Sequence, residues 1–120
     1  MAHDLHEPLA APQLLWSEST SVLHEHLWRG GIPAALAEKA LTALHLFPVH
    51  PRQPADLNLH AWRVAEQMGW ARTYDAEFCA LAEILGCRLV TIDERLVQGA
   101  AGRLDYVLPM HVAAAELLRR

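Results

Sequence analysis

The chain has 120 residues, the length of one folded domain. It is 52% hydrophobic and 20% charged, which supplies a core and argues against disorder. A net charge of -4 and a pI of about 6.0 exclude a global attraction to nucleic acid or anionic membrane, so any such contact needs a local basic patch.

No apolar run approaches the roughly 18 residues of a membrane span. The N-terminus has neither the basic nor the apolar region of a signal peptide. The expected setting is soluble and cytoplasmic, with no membrane partner. Cys79 and Cys87 are the only cysteines, expected as two buried free thiols in a reducing compartment.

In chain order, residues 1–7 are polar and His-rich and read as a frayed end. Leu9-Ala10-Ala11 is a short strand candidate, and Pro12 suits a helix N-terminus. The helix from about 13 to 29 has its apolar face at Leu15, Val22, Leu23 and Leu27 and stops at Gly30-Gly31. Glu18 falls on that same apolar face. A second helix, about 33–46, carries a stripe of Leu36, Ala40, Leu41 and Leu44. Phe47-Pro48-Val49-His50 is a short extended segment. Residues 55–69 form a helix whose Leu57, Ala61, Val64 and Met68 keep the spacing of a buried stripe, with Trp62 and Ala65 beside it.

From Thr73 to Ala100 the chain reads as helix, tight turn, buried strand, loop and helix. Asp75 lies in the first turn of that helix, on the side that carries Phe78, Cys79, Ala82 and Leu85. Asp93 follows directly on the apolar strand Leu89-Val90-Thr91-Ile92. Residues 104–108 are a final strand and 110–119 a C-terminal helix. Helices alternating with short apolar strands predict an α/β fold with a mostly parallel sheet, in which sites form beyond the carboxyl ends of the strands.

Three acids thus stand where a structural role does not require them. If Glu18, Asp75 and Asp93 meet, their mutual repulsion calls for a cation. Hard oxygen donors without cysteine or histidine suit Mg²⁺ or Mn²⁺, and the natural chemistry of such an ion is phosphodiester hydrolysis. A structural account stands beside this one. Asp75 meets the helix dipole favourably, Asp93 can cap the following helix, and Glu18 can pair with an arginine.

The segment TYDAEFCALAEILGCRLVTIDERL resembles the C-terminal half of PIN domains, especially the VapC-like toxins of bacterial toxin–antitoxin pairs. The matching steps are Tyr74-Asp75-Ala76 opening a helix, Ala82-Glu83 near its end, and Thr91-Ile92-Asp93 closing a strand. Upstream, Ala11-Pro12-Gln13-Leu14-Leu15 with Ser17-Glu18 and Val22-Leu23 resembles the family's second motif. The resemblance covers residues from about 8 to 108. It implies a three-layer α/β/α domain and a metal-dependent endoribonuclease. Glu18, Asp75 and Asp93 would be the catalytic Mg²⁺ or Mn²⁺ ligands, and Thr91 would support the site. It also implies an RNA substrate, a cognate antitoxin and a homodimer.

The chain departs from that pattern at its start. PIN domains begin with an apolar strand that ends in an aspartate, and no such strand precedes Asp4. The expectation is a sheet lacking its central first strand, with a gap between two strand pairs, 9–11 with 47–50 and 88–92 with 104–108. Three explanations are a misassigned start, a decayed gene, and a gap closed up or filled by another chain. The alternative functional reading is an inactive PIN-like remnant that acts by protein–protein contact.

The remaining candidates carry less. His24-Glu25-His26 places its two histidines on different sides of a helix. His45, His50, His60 and His111 fall on separate elements, with nothing expected to pair them. Trp16, Trp28, Trp62 and Trp70 suit core or interface packing. Arg29, Arg72 and Arg95 are candidate RNA contacts, against the blander reading of solvated or ion-paired arginines.

Overall fold

The alternation of helices and short strands is realised in a computed structural model that describes residues 9–118. The expected frayed end over residues 1–7 and the terminal Arg119-Arg120 lie outside the described residues. The described chain divides into two units, residues 9–52 and 53–118.

The first unit opens with β1 (Leu9–Ala11), followed by α1 (Leu14–Trp28), α2 (Ala34–Leu46) and β2 (Val49–Pro51). β1 and β2 pair in parallel, with Leu9 opposite Val49 and Ala11 opposite Pro51. The backbone N–H of Arg52 extends the ladder to the Ala11 carbonyl at 2.9 Å. Pro12 ends the strand fully buried and accepts from the Leu15 N–H to start α1. Helices α1 and α2 pack as a hairpin turned at Gly30-Gly31.

The expected apolar face of α1 is not a core face. None of its residues is buried, and Val22 and Trp28 are 52% and 80% exposed. On α2 the buried residue is Ala37, while Leu36 is 51% exposed. The reason is local to this unit: its two helices pack chiefly on each other, which covers only a narrow stripe of each.

In the second unit the helical stripe does become the core. α3 (Leu57–Met68) buries Leu57, Ala61, Val64, Ala65 and Met68, the positions expected from their spacing. Against it packs α4 (Tyr74–Leu85), through Ala76, Cys79, Ala80 and Leu81. Small side chains on both faces let the two helices approach closely. Trp62 stands outside this contact, 60% exposed, and its Nε1–H donates to Glu66 Oε1 at 3.1 Å. Both helices end the same way, on a glycine with positive φ, 73° at Gly69 and 64° at Gly86. There the next N–H bonds back into the last turn, from Trp70 to Ala65 and from Cys87 to Ala82.

Gly86 turns the chain into β3 (Leu89–Thr91), which leads to α5 (Glu94–Ala100), β4 (Val107–Pro109) and α6 (Met110–Leu118). β3 and β4 pair in parallel, Leu89 opposite Val107 and Thr91 opposite Pro109. Leu96, Ala100 and Leu104 close the core beside α3 and α4. The strands pair as expected, in two two-stranded parallel sheets, but the second and last strands, expected at 47–50 and 104–108, run over 49–51 and 107–109.

β3 is not the buried strand its composition suggests. Leu89 and Thr91 are half-buried, but Val90 is 41% exposed and Ile92 83%. Side chains alternate across a strand, so only one face of this pair is covered. Cys79 is buried as expected, whereas Cys87, on the turn into β3, is exposed; both are free thiols. No helix among the described residues is long and apolar enough to cross a membrane.

Candidate functional site

Asp75 and Asp93 belong to the second unit and reach the same place from different elements. Asp75 stands in the first turn of α4, where α3 packs against the buried Ala76 and Cys79 of the same turn and the next. The strand β3 delivers Asp93 to the start of α5. Burial holds the Asp75 carboxyl above the usual aspartate range, and the charge of Asp93 pushes it in the same direction. Arg95 opposes both. Burial and the neighbouring Asp93 charge acting on Asp75, partly relieved by Arg95, are the electrostatic content of this site.

Asp93 is held closely. Its Oδ1 accepts from the Arg95 N–H at 2.9 Å and from the Leu96 N–H at 3.4 Å, so it is the N-cap of α5. Its own N–H donates to Thr91 Oγ1 at 3.0 Å. Thr91 thereby fixes the backbone that carries the aspartate. Oδ2 makes neither cap bond, which leaves an oxygen of Asp93 for other work. Arg95 Nε lies 3.7 Å from Asp93 Oδ1, with the arginine side chain 93% exposed. An ion pair that exposed contributes little stability.

Glu18 belongs to the other unit, where it is exposed on α1. The pair that the structure brings together within one unit is therefore Asp75 and Asp93. Arg29 caps the C-terminus of α1, and Arg72 lies between α3 and α4; both are exposed. Among the described residues no three His, Cys, Asp or Glu side chains converge to hold a metal ion. The chemistry of the pair nevertheless suits a hard cation. Mg²⁺ is commonly held by one or two carboxylates, with waters and substrate phosphates completing its shell.

One cluster was not anticipated. His60, on α3, was expected to be unpaired, but its Nε2 lies 2.7 Å from Glu83 Oε1 on α4. The other oxygen, Glu83 Oε2, accepts from the Tyr106 hydroxyl. Burial, then the bond to Glu83, raises the Tyr106 phenol. Cys79, fully buried, has its thiol pushed up to about 11, chiefly by burial. The only sequence signal was Ala82-Glu83 itself; which residues it meets depends on how α3 and β4 pack, and local spacing does not encode that.

No family model matches the chain. It is 34% identical over 90 residues to the VapC ribonuclease Mb0985 of Mycobacterium bovis and to Ribonuclease VapC9 of Mycobacterium tuberculosis, an alignment covering 75% of this chain and 68% of each relative. With the motifs around Asp75 and Asp93 in place, this chain belongs to the VapC family of PIN-domain proteins.

Proposed function

We propose that the protein is a metal-dependent endoribonuclease that hydrolyses RNA phosphodiesters at the Asp75–Asp93 pair. The observation that carries the reading is that the first turn of α4 and the end of β3 bring Asp75 and Asp93 near enough for the charge of Asp93 to add to burial in raising the Asp75 carboxyl, in a chain whose relatives are named as ribonucleases. Asp75 and Asp93 hold Mg²⁺ or Mn²⁺ within their own unit. A hard divalent cation there supplies charge neutralisation at the phosphate and a more acidic attacking water.

The chain's own groups do the rest. Thr91 holds the Asp93 backbone, and the α5 cap fixes one carboxylate oxygen while leaving the other to the ion. Arg95, extended at the rim, meets a phosphate oxygen of the RNA. Arg72 contributes a further phosphate contact within the same unit, and Arg29 one on its own unit, since a chain of net charge -4 needs local basic contacts. A cognate antitoxin restrains the activity, and the protein acts as a cytoplasmic homodimer.

The test is cleavage of a labelled RNA pool by purified protein in Mg²⁺, in Mn²⁺ and in excess chelator. Cleavage that needs the divalent ion and is lost in Asp75→Asn is the expected result. If no RNA is cut in either metal, or if Asp75→Asn cuts as well as wild type, the proposal fails, and an inactive protein working by protein contact takes its place.

A further inference from the structure

The strongest arrangement not absorbed by the proposed reaction is centred on Glu83. This carboxylate is 29% exposed and has both oxygens engaged. One meets His60 of α3, and the other accepts from Tyr106, the residue before β4. Tyr106 is itself a bridge. Its hydroxyl holds Glu83, and its carbonyl accepts from the N–H of Leu89, the first residue of β3, at 3.0 Å.

Following the bonds outward connects the two aspartates. Asp75 lies on α4 eight residues before Glu83, roughly 12 Å along the helix. Asp93 lies four residues beyond Leu89 along β3 and the step after it. A continuous path therefore runs from Asp75 along a rigid helix to Glu83, through Tyr106 to Leu89, and along the strand to Asp93. His60 fastens the same carboxylate to α3, so α4 cannot slide along either neighbour without breaking a bond to Glu83. Structural need alone does not explain this. The α3–α4 contact is already closed by an apolar core to which the exposed Glu83 does not belong.

We propose that Glu83 and Tyr106 are positioning residues that set the spacing of Asp75 and Asp93 and so tune the affinity for the divalent ion. This inference rests on the proposed metal role of the two aspartates. Outer partners of metal ligands typically change affinity by about 10–100-fold. Because this partnership acts through a helix and a strand and touches neither ligand, the lower end applies.

The experiment is Mn²⁺ binding by calorimetry to the full chain, with the thermal midpoint measured for each variant. Tyr106→Phe and Glu83→Leu are expected to weaken Mn²⁺ binding on the order of 10-fold, while Glu83→Gln, which keeps the shape and an acceptor for Tyr106, stays within about 3-fold. Val64→Ala removes methyl groups from the core without touching the network, so it serves as the stability control. It should lower the midpoint and leave Mn²⁺ affinity at the wild-type value. The inference is overturned if Tyr106→Phe and Glu83→Leu bind Mn²⁺ like wild type, or if Val64→Ala weakens binding as much as they do. Wild-type protein that binds no Mn²⁺ overturns the metal reading itself and this inference with it. Variants that bind normally beside a wild type that also binds overturn this inference alone.

Discussion

Asp93 is assigned two jobs, and two substitutions separate them. As the N-cap of α5 it accepts a good hydrogen bond from the Arg95 N–H at 2.9 Å and a long one from the Leu96 N–H at 3.4 Å. Asparagine caps as well as aspartate, whereas alanine at such a position costs about 1 kcal/mol. One strong and one weak bond, on a helix of only seven residues, place this case near that central value. With a urea dependence of about 1–3 kcal/mol/M, Asp93→Ala should lower the unfolding midpoint by roughly 0.3–1 M. Asp93→Asn should leave it within about 0.2 M. As a metal ligand, Asp93 cannot be replaced by either residue. Loss of an outer partner alone reduces activity about 10–100-fold, so both variants should lose RNA cleavage by more than about 100-fold. The assays are urea unfolding followed by tryptophan fluorescence and initial rates of RNA cleavage at saturating Mn²⁺. If Asp93→Asn is stable and also active, capping is all that this aspartate does. If it is as unstable as Asp93→Ala, the cap geometry has been misread.

Other consequences are as direct. Leu57, the first residue of α3, is fully buried in the core, so Leu57→Ala should cost about 3 kcal/mol in denaturant unfolding; a cost under about 1 kcal/mol would refute the α3–α4 core. The folded pKa of Asp75 is raised, so the folded state binds this proton more tightly than the unfolded one. Its contribution to stability is therefore favourable below the ordinary aspartate range and is lost as pH rises through the folded pKa. In chelator, Asp75→Asn should be more stable than wild type at neutral pH, and the difference should shrink as pH falls to the ordinary aspartate range; a difference that grows on acidification would contradict the assignment. A thiol reagent should label exposed Cys87 quickly in the native protein. Buried Cys79, with a thiolate population on the order of one in a thousand at pH 8, should react only on unfolding; equal rates for the two would contradict the burial.

Much of the second unit was legible in the residues alone. Leu57, Ala61, Val64 and Met68 form a helical stripe with one consistent core, and in the structure they are buried. Asp93 at a strand end followed by a helix specified its cap, and the acidic and Thr-x-Asp steps specified the family. What could not be read was set by which neighbour each element meets. The α1 stripe of Leu15, Val22, Leu23 and Leu27 has the same periodicity as that of α3 but lacks a second layer within its unit. Val90 and Ile92 are as apolar as any buried strand residues, yet their face of a two-stranded sheet is open. His60 and Glu83 are 23 residues apart, and only the packing of α3 on α4 brings them together.

The central claim is that a divalent ion sits between the start of α4 and the start of α5. Paramagnetic broadening of backbone amide signals by substoichiometric Mn²⁺ tests it most directly. The expected result is selective loss of signals from residues 74–77 and 91–96, abolished in Asp75→Asn, with the amides around Cys87 and Gly102 unaffected. Broadening centred instead on His24 and His26, or no selective broadening at all, would contradict the account.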